Sequence, residues 1–548
     1  MPQSKTETSD KLTAKILNIF FYAFIAALVV IFLKFISFAV SGPIIRNYLS
    51  SKVEKETNGL YQLKIKTLNV EILTGNVTIR NIILDPDQEK INSLKEKHPD
   101  SVVSTINLKI KCIDITGLSW FKYLLSGKVY ADGFLCDKVL LSINRRNKEN
   151  QNDTLSFIGK LPEFSDVFAE VIQIDTIRLS NWRIKYKDET ESKPAIYQVD
   201  NLFIASKNFI LSKERISNPL FSDEIKIVAE NFYMNSPENN ISMAIDKLET
   251  TGNESLQASY LTFSKKPENT KYRKAEIDFI ANKVSCNKIN LASLLNEKKT
   301  EIQKIKVEDV NMHVYTNKNL PKEQVPKKFP AELVSGRTNT LKIDSIEFSH
   351  CYITYDERQK DDGGILEVSF HNTDLLIVDL TNDPEIATNT PARVLGTTNL
   401  YGKSLLTLRM QINLSEEKSF TYKGEIASID APAFNAITIP SDGLKFNDGQ
   451  IQNLKYNINV KNGVAKGNIE MSFKGVNVSI VNSQNEKSKL KSDLANLVIN
   501  SEGEESSEIS YNYKPYTGFF KFLVQPVVIG VSDIVVKDII PGEDLAKK

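Results

Sequence analysis

Residues able to support catalysis or bind metal are few and widely spaced in this chain. Among 548 residues there are only four His and four Cys. His350 and Cys351 are neighbours in a strand-like run, so their side chains point to opposite faces, and with His313 and His371 they match no known metal-ligand spacing. The sequence has no GxSxG, HExxH, P-loop or GxGxxG motif. We therefore predict no catalytic residues, no metal, no cofactor and a role that is not enzymatic.

Charge and composition exclude further classes of protein. The chain has 69 Lys and Arg against 68 Asp and Glu, a net charge of +1, and so lacks the basic excess of a nucleic-acid-binding protein. Hydrophobic residues make up 41% and charged residues 25%, which is ordinary for a folded protein. The length alone predicts about two to four structural units.

The first structural element predicted from the sequence is a long apolar segment near the N-terminus. Ile16–Leu33 carries no charge, and after Lys34 the apolar sequence continues to Ile45. About 20 apolar residues span a bilayer as a helix, so we predict a single-pass transmembrane anchor over residues 16–45. The alternative is a cleaved signal peptide with its cleavage site at Ala39-Val40-Ser41, but the apolar stretch exceeds the roughly 7–15 residues of a signal-peptide core.

The orientation of the anchor in the membrane is predicted from the size of the region that follows it more than from the charges that flank it. Lysines lie on both sides of the predicted anchor, whereas large C-terminal domains translocate largely regardless of charge. Residues 1–15 are therefore expected to be a cytoplasmic tail, with the bulk of the chain in the periplasm of a bacterium. In that oxidising compartment Cys112 and Cys136 either form a disulfide or, like Cys286 and Cys351, stay as buried thiols.

After the anchor, apolar and polar residues alternate with a period of two, which is typical of half-buried strands. Leu405–Leu414 and Lys455–Val460 are clear examples. Helices are few, with short ones predicted over Arg46–Thr57 and Pro162–Ile172. Four polar segments are predicted to be linkers: Asn144–Thr154, Asn317–Thr340, Thr381–Asn399 and Asn482–Glu508.

An internal repeat organises this β-rich region. Residues 174–186 (IDTIRLSNWRIKY) and 343–355 (IDSIEFSHCYITY) share the pattern I-D-[ST]-I-x-[LF]-S-x-x-x-I-x-Y, and a weaker copy begins at Ile302. The pairs Leu161-Pro162 and Phe329-Pro330 precede the main copies, and Pro favours the first turn of a helix. The unit is therefore predicted to run helix, strand, turn, strand. The shared positions favour duplication over coincidence.

In each copy the apolar residues are predicted to share one face of a hairpin. Such hairpins bury that face only by stacking on neighbours, which produces an elongated sheet. The apolar side of that sheet is either covered by helices or another sheet, or it stays open and holds something apolar. The residues predicted to line such a groove are Ile177, Leu179, Ile184, Ile346, Phe348 and Ile353.

Four segments resemble parts of one known family, the AsmA-like proteins of Gram-negative bacteria. Leu63–Asp87 is similar to the opening hairpins of the family, and Gly127–Arg146 to a strand pair that ends in a basic residue. Ile174–Asp188 resembles the recurrent family hairpin, and Asp442–Val481 resembles the closing segment, where Phe473 replaces a more usual Tyr. The resemblance covers most of the chain in outline, through hydrophobic patterns and not through catalytic signatures.

The resemblance implies a mainly β fold: an inner-membrane anchor followed by an elongated, curled antiparallel β-sheet with an apolar interior, a few short helices and a periplasmic location. Members of the family are implicated in moving phospholipid between the inner and outer membranes or in maintaining the outer-membrane barrier. They also resemble the eukaryotic bridge-like lipid transfer proteins. For this chain it implies phospholipid or another acyl lipid as cargo, contact with membranes, envelope proteins as partners, and no nucleic acid.

The C-terminal segment is predicted to contain an amphipathic helix. Within Tyr516–Ile540 apolar residues recur every three to four positions, with a kink at Pro526. The residues of this apolar stripe are Phe520, Leu523, Val527, Val531 and Ile534. The helix either caps the end of the sheet and covers its last edge strand, or contacts a membrane or a partner protein.

These patterns divide the chain into predicted domains and leave three function classes open. The domains are a tail (1–15), the anchor (16–45), an N-terminal AsmA-like β module (46–150), middle groove repeats (151–316), a linker (317–340), a C-terminal groove module (341–513) and the C-terminal segment (514–548). The classes are a lipid conduit that supports outer-membrane homeostasis, a scaffold or assembly factor for outer-membrane proteins, and an enzyme with an unrecognised site. A continuous apolar interior favours the first, a filled core with exposed edges the second, and a polar cluster in a pocket the third.

Overall fold

The computed structural model shows a mainly β protein. It describes residues 42–97, 104–145, 171–190, 192–212, 222–252, 254–267, 270–290, 299–360, 363–481 and 502–537. Within these ranges twenty strands form one long, mostly antiparallel sheet, accompanied by a few short helices. The predicted mainly β class is therefore confirmed.

The strands are numbered in chain order. The first ten are β1 (Tyr61–Glu71), β2 (Asn76–Pro86), β3 (Thr105–Thr116), β4 (Val129–Arg145), β5 (Val171–Asp188), β6 (Ala195–Ser212), β7 (Glu224–Ser236), β8 (Ile241–Thr251), β9 (Ser255–Lys265) and β10 (Glu276–Ile289). The others are β11 (Lys299–Asn317), β12 (Thr340–Arg358), β13 (Ile365–Thr381), β14 (Ala392–Leu400), β15 (Ser404–Ile412), β16 (Phe420–Ile426), β17 (Ile429–Asp430), β18 (Leu444–Lys461), β19 (Val464–Ile480) and β20 (Glu502–Asn512).

The described helices are mostly short. They are α1 (Gly42–Glu56), α2 (Gln88–Lys97), α3 (Trp120–Ser126), α4 (Pro330–Ser335), α5 (Pro384–Asn389), α6 (Asn435–Asp442) and α7 (Phe519–Lys537), with a 3₁₀ turn over Ala431–Phe434. Helix α1 matches the helix predicted after the anchor, and Pro330 begins α4 as the repeat predicted. The helix predicted at Pro162 lies outside the described residues up to residue 170, and Ile172 belongs to β5.

The chain divides into two compact units. The N-terminal unit comprises Met1–Asn239 and Ala244–Asn253, and the C-terminal unit comprises Asn240–Met243 and Glu254–Lys548. The core of the N-terminal unit is built from β2–β5, with Ile45 and Leu49 of α1 packed into it. The core of the C-terminal unit is built chiefly from β15–β19 and receives Phe522 of α7.

Most neighbouring strands pair antiparallel, but two pairs are parallel. Antiparallel registers join the consecutive strands of β1–β4, β5–β7, β9–β11, β12–β16 and β18–β20. Strand β5 pairs parallel with β4, and β12 pairs parallel with β11. The predicted antiparallel sheet is therefore mostly antiparallel, with two parallel pairs that the sequence did not predict. Parallel neighbours need a crossover connection, which residues 318–339, including α4, provide for the second pair.

Each copy of the repeat is one long strand, so the predicted hairpin is wrong. Residues 174–186 lie within β5, and residues 343–355 lie within β12. At the expected turns, Asn181 and His350 have φ angles of 57° and 53°, and the registers with β6 and β13 shift beside them. These are β-bulges, in which one extra residue interrupts the alternation without ending the strand. The strand therefore returns its apolar side chains to the same face after the bulge.

The two copies have equivalent surroundings. Each follows its parallel neighbour and precedes an antiparallel one. In the parallel neighbours, Lys138 lies level with Asn181 and Asp309 lies level with His350, and both residues also have a positive φ. The weaker copy that begins at Ile302 is β11 itself, and Ile302 pairs with Ile343 of β12. The repeat thus describes a recurring bulged strand.

Two of the predicted linkers contain regular structure among their described residues. The segment Thr381–Asn399 contains α5 and most of β14, and the described end of Asn482–Glu508 belongs to β20. The linker Asn317–Thr340 contains α4, while Asn144–Thr154 lies outside the described residues from 146 onward. Polar composition alone did not distinguish these strands from linkers because their solvent-facing positions are polar.

The predicted membrane anchor falls outside the described residues up to residue 41, and its last four residues begin α1. Among the described helices, none combines the length and apolarity that a membrane span requires.

Candidate functional site

Strands β10–β12 of the C-terminal unit carry an apolar face, called here the inner face. Its buried residues are small, and larger apolar side chains around them are only partly buried. The buried residues are Ala281, Val307, Val310 and Cys351; the partly buried ones are Phe279, Val284, Ile305, Met312, Phe348 and Ile353.

The opposite, outer face of the same strands is polar. Lys304 Nζ lies 2.6 Å from Glu347 Oε2 across β11 and β12, and His313 Nε2 lies 3.0 Å from Asp356 Oδ2. Tyr352, which directly precedes Ile353, is exposed on this side. Successive side chains of a strand point to opposite faces, and in these strands apolar residues alternate with polar ones. One face is therefore apolar and the other is polar.

The six predicted groove residues divide between the two units. Ile177, Leu179 and Ile184 of β5 are 3%, 0% and 8% exposed and belong to the core of the N-terminal unit. Their counterparts in β12, which are Ile346, Phe348 and Ile353, are half-buried. The first group therefore fills a core, and the second group leaves apolar surface open to solvent.

Residue size and helix placement explain this difference. The core around β5 contains large side chains such as Trp182 and is packed by α1. On the inner face of β10–β12 the fully buried residues are Ala, Val and Cys, and no helix of the described residues makes an extensive contact with these strands. The inner face is thus a partly buried apolar surface on which no described helix packs extensively.

Charged and polar side chains occupy the end of this face that follows Ile353. Glu357 is buried and forms an ion pair with Lys318, while the Tyr355 hydroxyl donates to Glu357 Oε2 at 3.1 Å. Lys318 Nζ also donates to Gln359 Oε1 at 2.6 Å. Burial raises the pKa of Glu357, but the hydrogen bond and charge of Lys318 outweigh it, so the pKa lies below its usual value. The carboxylate is therefore held in its charged form.

A cationic group from α7 lies beside this cluster. Lys521 is exposed and makes no ion pair with a described residue. Desolvation by the surrounding protein lowers the pKa of Lys521; Glu357 raises it, and the positive charges of Lys318, Lys322 and Arg273 lower it further. The strongest electrostatic influences on Lys521 come from three other cations and from Glu357, and such a grouping of cations attracts an anionic group.

The missed polar residues carried a weak sequence signal. Tyr355, Glu357 and Gln359 continue the alternation of the inner face beyond Ile353, so a buried polar end was readable from their spacing. Lys521 lies more than 160 residues along the chain from them, and its proximity depends on tertiary packing.

Helix α7 packs on the last two strands, β19 and β20, as the capping interpretation predicts. Phe522 is fully buried, with ring centroids 5.4–6.2 Å from four aromatic rings: Phe329, Phe420, Tyr511 and Tyr513. The Tyr422 hydroxyl donates to the Leu523 carbonyl at 2.9 Å. Four residues of the predicted apolar stripe face this core, but Phe520 is 47% exposed, so its assignment to the stripe is wrong.

Metal-ligating side chains and thiols are dispersed in the described part of the chain. No set of three or more His, Cys, Asp or Glu there is arranged to hold a metal ion. The four cysteines are free. Cys112 lies opposite Asp137 and Cys136 lies opposite Ile113 in the β3–β4 register. The two thiols are therefore one step apart in the pairing, and their side chains face opposite sides of the sheet.

A separate depression of about 300 Å³ lies between α5 and the ends of β15, β16 and β18. Polar side chains such as Gln411, Asn413 and Lys461 line much of it, and it shares no residue with the inner face.

Comparison with known proteins adds no relative: no protein-family model and no curated protein matches the chain.

Proposed function

We propose that this chain is an AsmA-like, single-pass protein of the bacterial inner membrane that carries phospholipid toward the outer membrane and so supports outer-membrane homeostasis. The single observation that carries the proposal is the inner face of β10–β12, where Met312, Phe348 and Ile353 are only partly buried. The residues facing the other way form ion pairs. An apolar surface of this kind is stabilised when an apolar ligand covers it.

The energetics favour an acyl chain as that ligand. Moving apolar groups out of water gains about 0.8 kcal/mol per CH₂, so a chain of some 16 carbons gains on the order of 10 kcal/mol on leaving water. A surface of Ile, Val, Phe and Met provides this without directional contacts, which suits a cargo that must move on. The anionic phosphate of the same lipid is attracted by the cations near Lys521.

Contacts within the C-terminal unit support the curled sheet that the proposal needs. The Phe520 ring lies 5.9 Å from that of Tyr355 in β12, while the Phe522 ring, two residues later in α7, lies 5.7 Å from that of Tyr511 in β20. Seven pairings separate β12 from β20, or about 34 Å in a flat sheet at roughly 4.8 Å per strand. Contacts of a helix about 10 Å wide with both strands favour a sheet that bends around the helix.

One observation favours the second candidate, a scaffold or assembly factor for outer-membrane proteins. The N-terminal unit has a filled core, in which Leu179 is fully buried. A filled core is what the scaffold hypothesis predicts, whereas the open inner face of β10–β12 favours transport.

A transfer assay with the full chain tests the proposal. The chain is reconstituted into donor vesicles with fluorescent phospholipid, and transfer to acceptor vesicles is followed by dequenching. Ile353→Asp places a carboxylate on the inner face and is expected to slow transfer at least about tenfold. The matched control Tyr352→Asp changes the outer face and is expected to leave the rate within about twofold. Transfer no faster than in protein-free vesicles, or equal loss in both variants, contradicts the proposal; Ile353→Ser provides a milder inner-face variant should Ile353→Asp fail to fold.

A further inference from the structure

Large apolar side chains are exposed together at one end of the N-terminal unit. In the turn between β1 and β2, Ile72 is 54% exposed and Leu73 is fully exposed. On α3, Phe121 and Leu125 are 73% and 72% exposed. These four residues are called here the apolar tip. Single exposed apolar residues are ordinary, but a group of large ones marks an interaction site.

The two parts of the apolar tip are joined by backbone contacts. The Leu118 amide donates to the Gly75 carbonyl at 2.9 Å, linking the β1–β2 turn to the loop before α3. Gly75 has a φ of 70°, and a Cβ there would collide with the Leu118 carbonyl oxygen, so the close approach requires glycine. Leu118 itself is buried. The four exposed residues therefore project outward from a firmly packed junction.

Helix α1 runs toward the same end of the unit. The Ser50 hydroxyl donates to the Leu63 carbonyl at 2.7 Å, and Arg46, one turn earlier, donates to the carbonyl of Lys66, further along β1. The N-terminus of α1 therefore points toward the end of β1 that leads into the exposed turn. Ile44, in its first turn, is also an exposed apolar residue. The segment predicted to span the membrane ends at Ile45, in the first turn of α1.

The charges around the apolar tip suit a lipid surface. Lys122 lies on α3 between the two exposed apolar residues, with its Nζ 4.2 Å from the centroid of the Tyr130 ring, and Lys128 follows the helix. Residues 117–131 contain no Asp or Glu, whereas Glu71 directly precedes Ile72 and Asp132 follows this segment. Apolar side chains flanked by lysines are typical of segments that lie in the headgroup region of anionic membranes.

We propose that the apolar tip inserts into the interfacial region of the same lipid bilayer that holds the predicted anchor. This inference rests on the membrane anchor of the proposed function but not on lipid transport. The N-terminal unit would then contact the membrane at two places. One is the predicted span, which ends in the first turn of α1, and the other is formed by the side chains of the β1–β2 turn and α3. A second copy of the chain, or a protein partner at this surface, is the competing outcome.

Fluorescence quenching in vesicles tests the proposal with the full chain. Leu73→Cys is labelled with an environment-sensitive dye in a chain that also carries Cys112→Ser and Cys286→Ala. The two remaining cysteines are buried, and burial raises the pKa of both thiols, so they label poorly. Lys193→Cys, exposed in the turn between β5 and β6 at the other end of these strands, is the matched control.

If the apolar tip inserts, the emission of the dye at Leu73 shifts to the blue. Nitroxides on the acyl chains then quench at least about half of its intensity, because interfacial segments are buried about 5–10 Å into the boundary between headgroups and acyl chains. The dye at Lys193 is expected to be unaffected. Ile353→Asp, which targets transport, is expected to leave the quenching at Leu73 unchanged. Suppose that the chain floats with the vesicles but the dye at Leu73 is quenched no more than the dye at Lys193, or only by headgroup quenchers. Insertion of the apolar tip is then contradicted, while the predicted membrane anchor still stands. If the chain does not float with the vesicles, both the anchor and this inference are overturned, and crosslinking of the tip to protein assigns it to a protein partner.

Discussion

Removing the side chain that packs α7 onto the core of the C-terminal unit has a predictable effect on stability. Phe522 is fully buried among four aromatic rings, and Phe→Ala substitutions at such sites cost about 3–5 kcal/mol. Phe522→Ala is therefore expected to destabilise α7 and β20 by about 3–4 kcal/mol. At 1.36 kcal/mol per tenfold, this corresponds to a roughly hundredfold to thousandfold loss of amide protection.

Hydrogen exchange in the detergent-solubilised full chain measures this loss amide by amide. The matched control is Phe520→Ala on the same helix, whose side chain is 47% exposed. Its cost is expected to stay below about 1 kcal/mol, or roughly a fivefold change in protection. A loss of less than tenfold for Phe522→Ala, or equal losses for both variants, would refute the packing of α7 described here.

Three further substitutions test other parts of the account. Lys318→Met removes the ion-pair partner of the buried Glu357 and is expected to lower the free energy of unfolding in urea by about 3 kcal/mol, most of which Glu357→Gln restores in the double variant. Burial raises the pKa of Asp137, but hydrogen bonds from Asn181 and Ser180 and the charge of Lys138 outweigh it, so the pKa in the folded state lies below the usual value. The charged carboxylate therefore stabilises the fold above about pH 4, and this stabilisation is lost as the pH falls through the folded-state pKa. Asn181→Gly keeps the positive φ but removes this donor, so its loss of stability is expected to be larger at pH 7 than at pH 3; equal losses contradict the assignment. Gly75→Ala is expected to cost at least about 1–2 kcal/mol, because an added Cβ meets both the positive φ and the Leu118 carbonyl, and to reduce quenching at the apolar tip. Unchanged stability and quenching would contradict the conformation of this turn.

The repeat illustrates what sequence pattern can and cannot predict about this fold. The spacing of Ile177, Leu179 and Ile184 predicted a shared apolar face, and all three are buried. The break in their alternation predicted a turn, because ending a strand and bulging it change the pattern in the same way. Asn181 and His350 both carried a signal for the bulge, since Asn and His are enriched among the residues that adopt a positive φ.

Strand partners were less predictable than the strands. The parallel pairing of β4 with β5 and of β11 with β12 depends on crossover connections, and alternation within a strand does not specify the direction of its neighbour. The acidic segment of β20 was predicted as a linker because charged residues are typical of loops. In the structure most of these side chains are exposed, with Ser507 and Ile509 buried between them, as suits a strand at a sheet edge.

The candidate site was predicted in part. Ile346, Phe348 and Ile353 were identified from the repeat and are half-buried on one strand of the C-terminal unit. That the equivalent residues of β5 are fully buried depends on what packs against them, including α1, and a residue pattern does not contain that information. The same holds for Lys521, which tertiary packing brings near Glu357.

Site-specific photo-crosslinking in bacterial cells that express the full chain tests the central claim most directly. A benzophenone amino acid is placed at Phe348 on the inner face and, in a matched variant, at Tyr352 on the outer face. Mass spectrometry then identifies what each position captures. The account predicts phospholipid adducts at Phe348 and none at Tyr352. Absence of lipid at Phe348, or equal capture at both positions, would contradict it.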